Sequence, residues 1–231
     1  MTDLEAQKKQ AALKAADYIQ SGMLLGLGTG STAKYAIIAL GERLREGQLK
    51  DIRAVATSRA SEALAHEWQI PLFELDGERL DLAIDGMDEL DPNLNAIKGL
   101  GGALTREKIV ESCAKTFILI GDETKTVTRL GEKTPIPVEV IPFGWKATQR
   151  KLEALGLRPE MRLSGAEPFM TDNHNYVLHC HVTSEFTPAE LASAMANIPG
   201  VVEHGLFLEL ASFAFVATEA GVLSFERKGL T

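Results

Sequence analysis

The chain has 231 residues, of which 45% are hydrophobic and 24% charged, a composition typical of a folded globular protein rather than a disordered or fibrous one. Its net charge of −8 excludes a general attraction for nucleic acid or anionic membranes, so an anionic ligand needs a local group of donors and cations. Two cysteines, and no apolar run of about 18 residues, predict neither a disulfide framework nor a membrane span. Because MTDLEAQKKQ lacks the apolar run of a signal peptide, we expect a cytoplasmic protein.

The first part of the chain alternates helix and strand patterns. In chain order the predicted elements are a helix with small apolar residues from 4 to 19, strand 23–27, a helix through 35–40, strand 52–56, a helix around 59–67, strand 71–75, strand 82–84, a helix from about 105, and strand 117–120. This alternation predicts a Rossmann-like, mainly parallel sheet flanked by helices, with ligand groups at the carboxyl ends of its strands.

The pattern changes near Gly131, where prolines bracket a short apolar run. The following predicted elements are strand 138–141, a helix at about 145–155, strand 158–164, strand 176–183, helix 188–197 and strand 201–203. This β-α-β-β-α-β order predicts a smaller ferredoxin-like α+β domain. We expect it to be an insertion at 132–205 in a catalytic α/β domain formed by 1–131 and 206–231, with runs 213–217 and 222–225 returning to the first sheet.

The glycine turn at 28–32, sequence GTGST, is the first candidate ligand site. Its glycines allow close approach of a ligand, and the N–H groups of the following helix and the turn hydroxyls can donate to a phosphate. Two alternatives stay open: a turn in which Ser or Thr only caps the helix, and a dinucleotide-binding turn, because a permissive G-x-G-x-x-A pattern ends at Ala33. The second alternative lacks the expected acidic residue, since 57–59 reads TSR, which suits only a 2′-phosphate.

Carboxylates, a lysine and a glycine run converge between residues 81 and 111. Asp85 and Asp88 follow a predicted strand, Lys98 opens the glycine run, and Glu107 lies in the first turn of a predicted helix. These groups predict a proton-transfer site at the carboxyl edge of the sheet.

Two further features bear on the chemistry of this site. Lys125 follows strand 117–120, so we expect it to face the same crevice as Asp85. His179 and His181 share one face of a predicted strand, but a metal site needs more ligands than this pair supplies. No metal is expected.

Five segments, in this order, give the chain a specific resemblance. They are GLGTGST at 26–32, DGMDELD at 85–91, KGLGGALTREK at 98–108, VEVIPFG at 138–144 and GVVEHGLF at 200–207. Together they resemble ribose-5-phosphate isomerase of the A type over nearly the whole chain. The resemblance implies reversible conversion of D-ribose 5-phosphate to D-ribulose 5-phosphate in the non-oxidative pentose phosphate pathway. It also implies a homodimer or homotetramer that needs neither a metal nor an organic cofactor.

The resemblance also assigns residue roles. Glu107 matches the catalytic base, and the polar groups around the reacting end of the sugar match Asp85, Asp88 and Lys98. Positions that match substrate-binding segments are Thr29, Gly30, Ser31, Thr32, Asp85, Gly86, Met87, Asp88, Lys98, Gly99, Leu100, Gly101 and Lys125. Leu100 stands where the family often has another glycine, which can stiffen the loop or alter its approach to the substrate.

Two other functions are compatible with parts of the chain. A non-catalytic sugar-phosphate sensor would keep the glycine loops but would not need Glu107 together with Lys98. An NADP-dependent oxidoreductase is permitted by Gly28, Gly30, Ala33 and Arg59. Turnover separates the isomerase from the sensor, and titration with the nucleotide tests the oxidoreductase.

Overall fold

The computed structural model describes residues 4–227 of the chain. Its helices are α1 (Leu4–Ala16), α2 (Ala33–Arg45), α3 (Arg59–Glu67), α4 (Leu104–Ser112), a 3-10 helix (Glu123–Lys125), α5 (Trp145–Glu153) and α6 (Pro188–Ala196). Its strands are β1 (Leu24–Leu27), β2 (Arg53–Ala56), β3 (Leu80–Gly86), β4 (Glu89–Leu90), β5 (Ala96–Ile97), β6 (Ala114–Asp122), β7 (Ile136–Val140), β8 (Leu157–Met161), β9 (Leu163–Ser164), β10 (Glu167–Pro168), β11 (Tyr176–Val182), β12 (Val201–His204), β13 (Leu206–Phe207), β14 (Phe213–Thr218) and β15 (Gly221–Glu226).

These elements form two compact units. Within the described residues, the first unit comprises 4–87, 106–126 and 209–227, and the second comprises Asp88–Thr105 and Val127–Leu208. The segment predicted as an insertion, 132–205, falls within the second unit. Residues 88–105 also belong to that unit.

The first unit is built on a six-stranded sheet in the order β15-β14-β6-β3-β1-β2. All neighbours are parallel except the β14–β15 hairpin. This confirms the predicted mainly parallel sheet and the return of the chain's last apolar runs to it. Parallel pairing brings the carboxyl ends of β1, β3 and β6 to the same edge of the sheet.

An apolar core holds α1 and α2 against this sheet. Ala11 and Ala15 of α1, and Ile37 and Leu40 of α2, are buried in one cluster with strand residues such as Leu82. The alanines let α1 approach closely, while each fully buried Leu or Ile contributes about 1.5–3 kcal/mol. The core therefore fixes the strand ends that carry candidate site residues.

Asp81, at the start of β3, links two neighbouring elements of the first unit. Its carboxylate accepts the backbone N–H of Leu24 (2.9 Å) and a hydrogen bond from the Lys115 ammonium (2.8 Å). The Lys115 hydrogen bond, followed by that from Leu24, lowers the pKa of Asp81 below its ordinary value of 3.8. The ionised carboxylate is therefore the form that the fold stabilises.

Asp81→Asn should lower the free energy of unfolding at neutral pH by about 1 kcal/mol, because the pair is partly screened by solvent. A lowered folded-state pKa gives stabilisation that is present above the unfolded-state pKa and lost as pH falls through the folded-state pKa. Urea unfolding between pH 7 and pH 2 should thus show the wild-type advantage shrinking below about pH 4. A difference that stays constant to pH 2 would contradict this assignment.

The prediction of a strand over 71–75 is wrong, because this segment forms a single bridge. Only a single bridge joins this segment to β2, between Ala54 and Leu72. Pro71 accepts the N–H of Ala54 (2.9 Å) through its carbonyl, but proline has no N–H to extend the ladder. The segment therefore runs along the sheet edge without becoming a strand.

The second unit contains a four-stranded antiparallel sheet in the order β12-β7-β11-β8. With α5 after β7 and α6 after β11, these elements follow the β-α-β-β-α-β order, which confirms the predicted ferredoxin-like topology. Val138, Leu178, Leu152 and Leu191 are buried together in its apolar core.

A second sheet in this unit, of three strands in the order β13-β5-β4, was not predicted. Its strands are two residues long, too short to show a period of two in the sequence. It carries Asp88 just before β4 and Lys98 just after β5. Within residues 4–227, no helix combines the length and the apolar character needed to cross a lipid bilayer.

Candidate active site

At the edge of the first unit's sheet, the glycine turn meets Asp85. Leu27, the last residue of β1, pairs with Ile84 of β3, so Gly28 lies beside Asp85, which is the penultimate residue of β3. A Cβ on Gly28 would lie 2.1 Å from Asp85 Oδ1, so only glycine fits there. Asp85 Oδ1 accepts the N–H groups of Thr29 (2.8 Å) and Gly86 (2.6 Å). The turn therefore orients this fully buried carboxylate.

The hydroxyl of Thr29 belongs to a network that the sequence did not predict. Its Oγ1 lies 2.7 Å from Thr57 Oγ1, 2.8 Å from Ser58 Oγ and 3.1 Å from Ser61 Oγ. Ser61 in turn donates to the carbonyl of Gly28 (2.6 Å). These hydroxyls, at the end of β2 and in α3, hold the glycine turn in place. The signal in the sequence was the TSRAS run that follows β2.

A ligand can reach the N-terminus of α2 from the side of the glycine turn. Thr32 occupies the N-cap position, but its side chain makes no capping hydrogen bond. Gly30 and Ser31, which precede it, are exposed. Thr32 therefore does not cap the helix with its side chain, which was one alternative for this turn. A helix N-terminus of this kind favours an anion.

Met87 and Lys125 extend the same edge of the first unit. Lys125 lies in the 3-10 helix that follows β6, and β6 is the parallel neighbour of β3. A Cβ on Gly121 would lie 2.7 Å from Met87 Cε and 3.5 Å from Lys125 Cγ. Both side chains therefore pass over Gly121, at the sheet edge that also carries Asp85, and the expectation that Lys125 and Asp85 face one crevice stays a prediction.

Glu107 lies in the first turn of α4, as predicted, and its side chain is buried. Val110, one turn later, packs on β1, where a Cβ on Gly26 would lie 2.7 Å from Val110 Cγ1. Residues three apart share a helix face, so Glu107 lies on the same side of α4 as Val110. The positive end of the helix dipole favours its charged form, whereas burial opposes that form.

In the second unit, Asp88 and Lys98 flank the β4–β5 hairpin. The Asp88 N–H donates to the Ile97 carbonyl (2.8 Å), and Asp88 Oδ2 accepts the N–H of Leu100 (2.9 Å). The Lys98 N–H donates to the Gly205 carbonyl (3.0 Å), and its Nζ lies 5.3 Å from the centroid of the Phe207 ring. The Lys98 side chain is buried.

The glycine loop after Lys98 leads directly into α4. Gly99 has a φ of +101°, and a Cβ there would lie 2.5 Å from Leu104 Cβ. Gly102 donates its N–H to the Gly99 carbonyl (2.8 Å). Leu100 is half-buried and Gly101 is exposed. The Leu100 N–H is held by Asp88, so leucine at this position is compatible with an ordered loop.

Two charged residues near this loop were missed by the sequence analysis. Arg162 stacks on the Phe169 ring at 3.6 Å, and a Cβ on Gly102 would lie 2.6 Å from its Nη1. Burial lowers the pKa of the Arg162 guanidinium, while the charge of Asp88 acts in the opposite direction. Glu139 is a buried carboxylate on β7 that accepts a hydrogen bond from the Thr105 hydroxyl (2.5 Å). A lone glutamate in the apolar run IPVEVI was the available signal.

The described surroundings of His179 and His181 do not indicate a metal site. His181 Nε2 lies 3.6 Å from Glu160. Burial, and then the charges of Arg162 and His181, lowers the pKa of His179. In the part of the chain described, no cluster of three or more His, Cys, Asp or Glu side chains is arranged to hold a metal ion.

Both units carry groups capable of acid–base chemistry. The first unit supplies two buried carboxylates, Asp85 and Glu107, with a helix N-terminus and Lys125 on which an anion can be bound. The second supplies the Asp88 carboxylate and the buried Lys98 ammonium. Carboxylates can transfer protons between carbon and oxygen, and an ammonium can stabilise an oxyanion.

Comparison with known proteins assigns the family. The sequence model of the family ribose 5-phosphate isomerase A (phosphoriboisomerase A) matches residues 53–221 of this chain. Ribose-5-phosphate isomerase A of Deinococcus radiodurans is 51% identical over 97% of this chain and 100% of its own length. The structure of a D-ribose-5-phosphate isomerase in complex with phospho-erythronic acid is 43% identical, with a TM-score of 0.95 over 98% of this chain and 100% of its own. Ribose 5-phosphate isomerase from Plasmodium falciparum is 38% identical, with a TM-score of 0.95 over 97% of this chain and 100% of its own. The chain belongs to the ribose 5-phosphate isomerase A family.

Proposed function

We propose that the protein interconverts D-ribose 5-phosphate and D-ribulose 5-phosphate, as an aldose–ketose isomerase of the non-oxidative pentose phosphate pathway. The observation that carries this proposal is the full-length similarity to ribose-5-phosphate isomerases, in a chain that keeps a buried glutamate in the first turn of α4. The phosphorylated sugar acid bound to a related isomerase supports a phosphosugar as ligand.

Glu107 is the general base in this proposal. It removes the proton from C2 of the open-chain aldose, giving an enediolate, and returns that proton to C1 to give the ketose. One carboxylate that reaches both carbons serves both steps, and general acid–base catalysis of this kind contributes about 10²–10⁴-fold. No atom is gained or lost, so the reaction needs no redox partner.

The enediolate places negative charge on the former carbonyl oxygen. The Lys98 ammonium stabilises this oxygen, and a single well-placed donor is worth about 3 kcal/mol. Asp85 and Asp88 move protons between the substrate oxygens and assist opening of the sugar ring. The N–H groups that hold Asp85 in place keep that carboxylate oriented for this role.

Binding of the phosphosugar is assigned to three segments. The first is the glycine turn with Thr29, Gly30, Ser31 and Thr32, whose helix N-terminus favours an anion. The second is the stretch Asp85, Gly86, Met87 and Asp88. The third is the loop of Lys98, Gly99, Leu100 and Gly101, and Lys125 supplies a further cation. Because Thr29 Oγ1 is held by other hydroxyls, its contribution comes through the shape of the turn.

We also propose that the protein is cytoplasmic and forms a homodimer or homotetramer, on the basis of its composition and its family. The two-part domain assignment, with 1–131 and 206–231 as the catalytic domain and 132–205 as an insertion, belongs to the same proposal. Size-exclusion chromatography with light scattering measures the assembly directly.

The decisive experiment is an assay of ribose 5-phosphate conversion by the purified protein in the presence of EDTA. We expect full conversion to the equilibrium mixture, because the mechanism uses only side chains of this chain. A folded protein that binds ribose 5-phosphate without turnover would instead be a sugar-phosphate sensor. Loss of activity with EDTA, restored by a divalent metal, would refute the metal-free mechanism.

A further inference from the structure

Glu139 lies on β7, an inner strand of the second unit's four-stranded sheet, and is 0% exposed. Its neighbours Val138 and Val140 belong to the apolar core. Because successive residues of a strand point to opposite faces, Glu139 points to the other face of the sheet. A buried carboxylate is costly unless hydrogen-bond donors satisfy it. The donors around Glu139 therefore show what this residue holds.

The two oxygens of Glu139 hold different parts of the chain. Oε1 accepts from the Thr171 hydroxyl (2.9 Å) and from the side-chain amides of Asn173 (3.2 Å) and Asn175 (2.9 Å). Oε2 accepts from the Thr105 hydroxyl (2.5 Å), its sole donor among residues 4–227. One carboxylate thus joins a loop of the second unit to the start of α4.

The loop on Oε1 is ordered by its own hydrogen bonds. The Thr171 N–H donates to the Asn175 carbonyl (2.9 Å), and the Asn175 N–H donates to Thr171 Oγ1 (3.1 Å). His174 donates its N–H to the Thr171 carbonyl (2.9 Å). Three donors of this loop reach Oε1, so the Glu139 carboxylate keeps its place when one of them is removed, whereas the Thr105 hydroxyl is the donor to Oε2.

Thr105 lies in the first turn of α4, two residues before Glu107. Threonine is restricted at χ1, and a hydrogen bond to Glu139 selects one rotamer. Leu104, just before it, packs against Gly99. Successive residues of a helix are about 100° apart, so Thr105 holds the side of the turn roughly opposite Glu107.

We propose that Glu139 is a positioning residue for the isomerisation. Through Thr105 it fixes the rotation of the first turn of α4 and thereby the direction in which Glu107 points. This inference rests on the role proposed for Glu107 as the base. Catalysis depends steeply on such geometry, since a displacement of about 1 Å can cost on the order of 10² in rate.

A matched pair of variants tests the proposal, because each removes one hydroxyl from the same carboxylate. Thr105→Val should lower kcat by about tenfold with KM changed less than about twofold, since the base is misdirected while the binding groups remain. Thr105→Ser, which keeps the hydroxyl, should restore kcat. Thr171→Val, which removes a donor to the other oxygen, should lower Tm but leave kcat within about twofold.

Steady-state kinetics and thermal unfolding of these variants decide the matter, with Thr105→Ala replacing Thr105→Val if the valine variant does not fold. Wild-type kcat in a folded Thr105 variant would overturn the proposal. An equal loss of kcat in Thr105→Val and Thr171→Val would also overturn it, because the loss would then follow from general loosening around Glu139.

A double variant tests whether Thr105 acts through Glu139. If it does, Glu139→Gln/Thr105→Val should have the same kcat as Glu139→Gln, whereas fully additive losses would refute the link. Glu107→Gln keeps the two levels of inference apart. Turnover retained in Glu107→Gln removes the proposed base, while an inactive Glu107→Gln beside an unaffected Thr105→Val removes only the positioning role.

Discussion

Glu107→Gln should lower kcat by about 10²–10⁴-fold, the contribution expected of a general base, while leaving binding of ribose 5-phosphate largely intact. The amide has nearly the same shape as the carboxylate but cannot accept a proton from C2. Coupled measurement of ketose formation gives kcat, and calorimetric titration with ribose 5-phosphate gives the affinity. A loss in kcat without a matching loss in affinity is the result that the mechanism requires.

The same helix offers a control for this variant. Glu111 lies one turn beyond Glu107 on α4 and is 2% exposed, compared with 3% for Glu107. Glu111→Gln therefore also neutralises a buried carboxylate on that face but should retain turnover. Equal losses in the two variants would indicate a general effect of removing charge from α4, and retained turnover in Glu107→Gln would remove its role as base.

Glu89→Ala should lower the free energy of unfolding by about 3–6 kcal/mol, a large share of the stability of an ordinary domain. Glu89 is 0% exposed and lies in β4 of the second unit. Its oxygens accept the backbone N–H groups of Gly131 (2.6 Å), Lys133 (2.6 Å) and Thr134 (2.5 Å). Alanine leaves these three donors without their acceptor, and each costs about 1–2 kcal/mol, the lower part of the range for a buried donor, because Gly131 and Thr134 are half-buried and Lys133 is exposed.

Thermal and urea unfolding measure this loss, and Glu132→Ala is its control. Glu132 lies in the same segment and accepts the N–H and hydroxyl of Thr128 (both 3.1 Å), but it is exposed. Water can replace it, so Glu132→Ala should scarcely change Tm. Similar shifts in Tm for the two variants would contradict the view that burial makes the Glu89 hydrogen bonds strong.

Much of the fold follows from local patterns in the sequence. The run 23–27 is apolar throughout and is followed by glycines, so its place as a buried parallel strand before α2 was predictable. The segment 71–75 is also mainly apolar but forms only one bridge to β2, because Pro71 has no N–H with which to extend the ladder. Two-residue strands such as β4 carry no periodic signal, so their sheet was not predictable.

The candidate site shows the same division between local and distant information. A shared sheet edge for Asp85 and Lys125 was predictable, because Asp85 lies near the carboxyl end of β3 and Lys125 follows β6, its parallel neighbour. The environment of Thr29 was not predicted, because its partners Thr57 and Ser61 lie some thirty residues away in the sequence. Glu139 was missed for the same reason, since its donors come from the start of α4 and from a loop beyond β10.

Residues 127–208 of the second unit support side chains that lie outside this segment. Deleting 127–208 would remove none of the residues assigned to catalysis or substrate binding. It would, however, remove Gly205, which accepts the Lys98 N–H, and Glu139, which holds Thr105. Lys98 and the start of α4 would then lose the partners that order them. A shortened chain without 127–208 would therefore keep every side chain assigned to the reaction. It would lack the hydrogen bonds that hold Lys98 and the start of α4 in place.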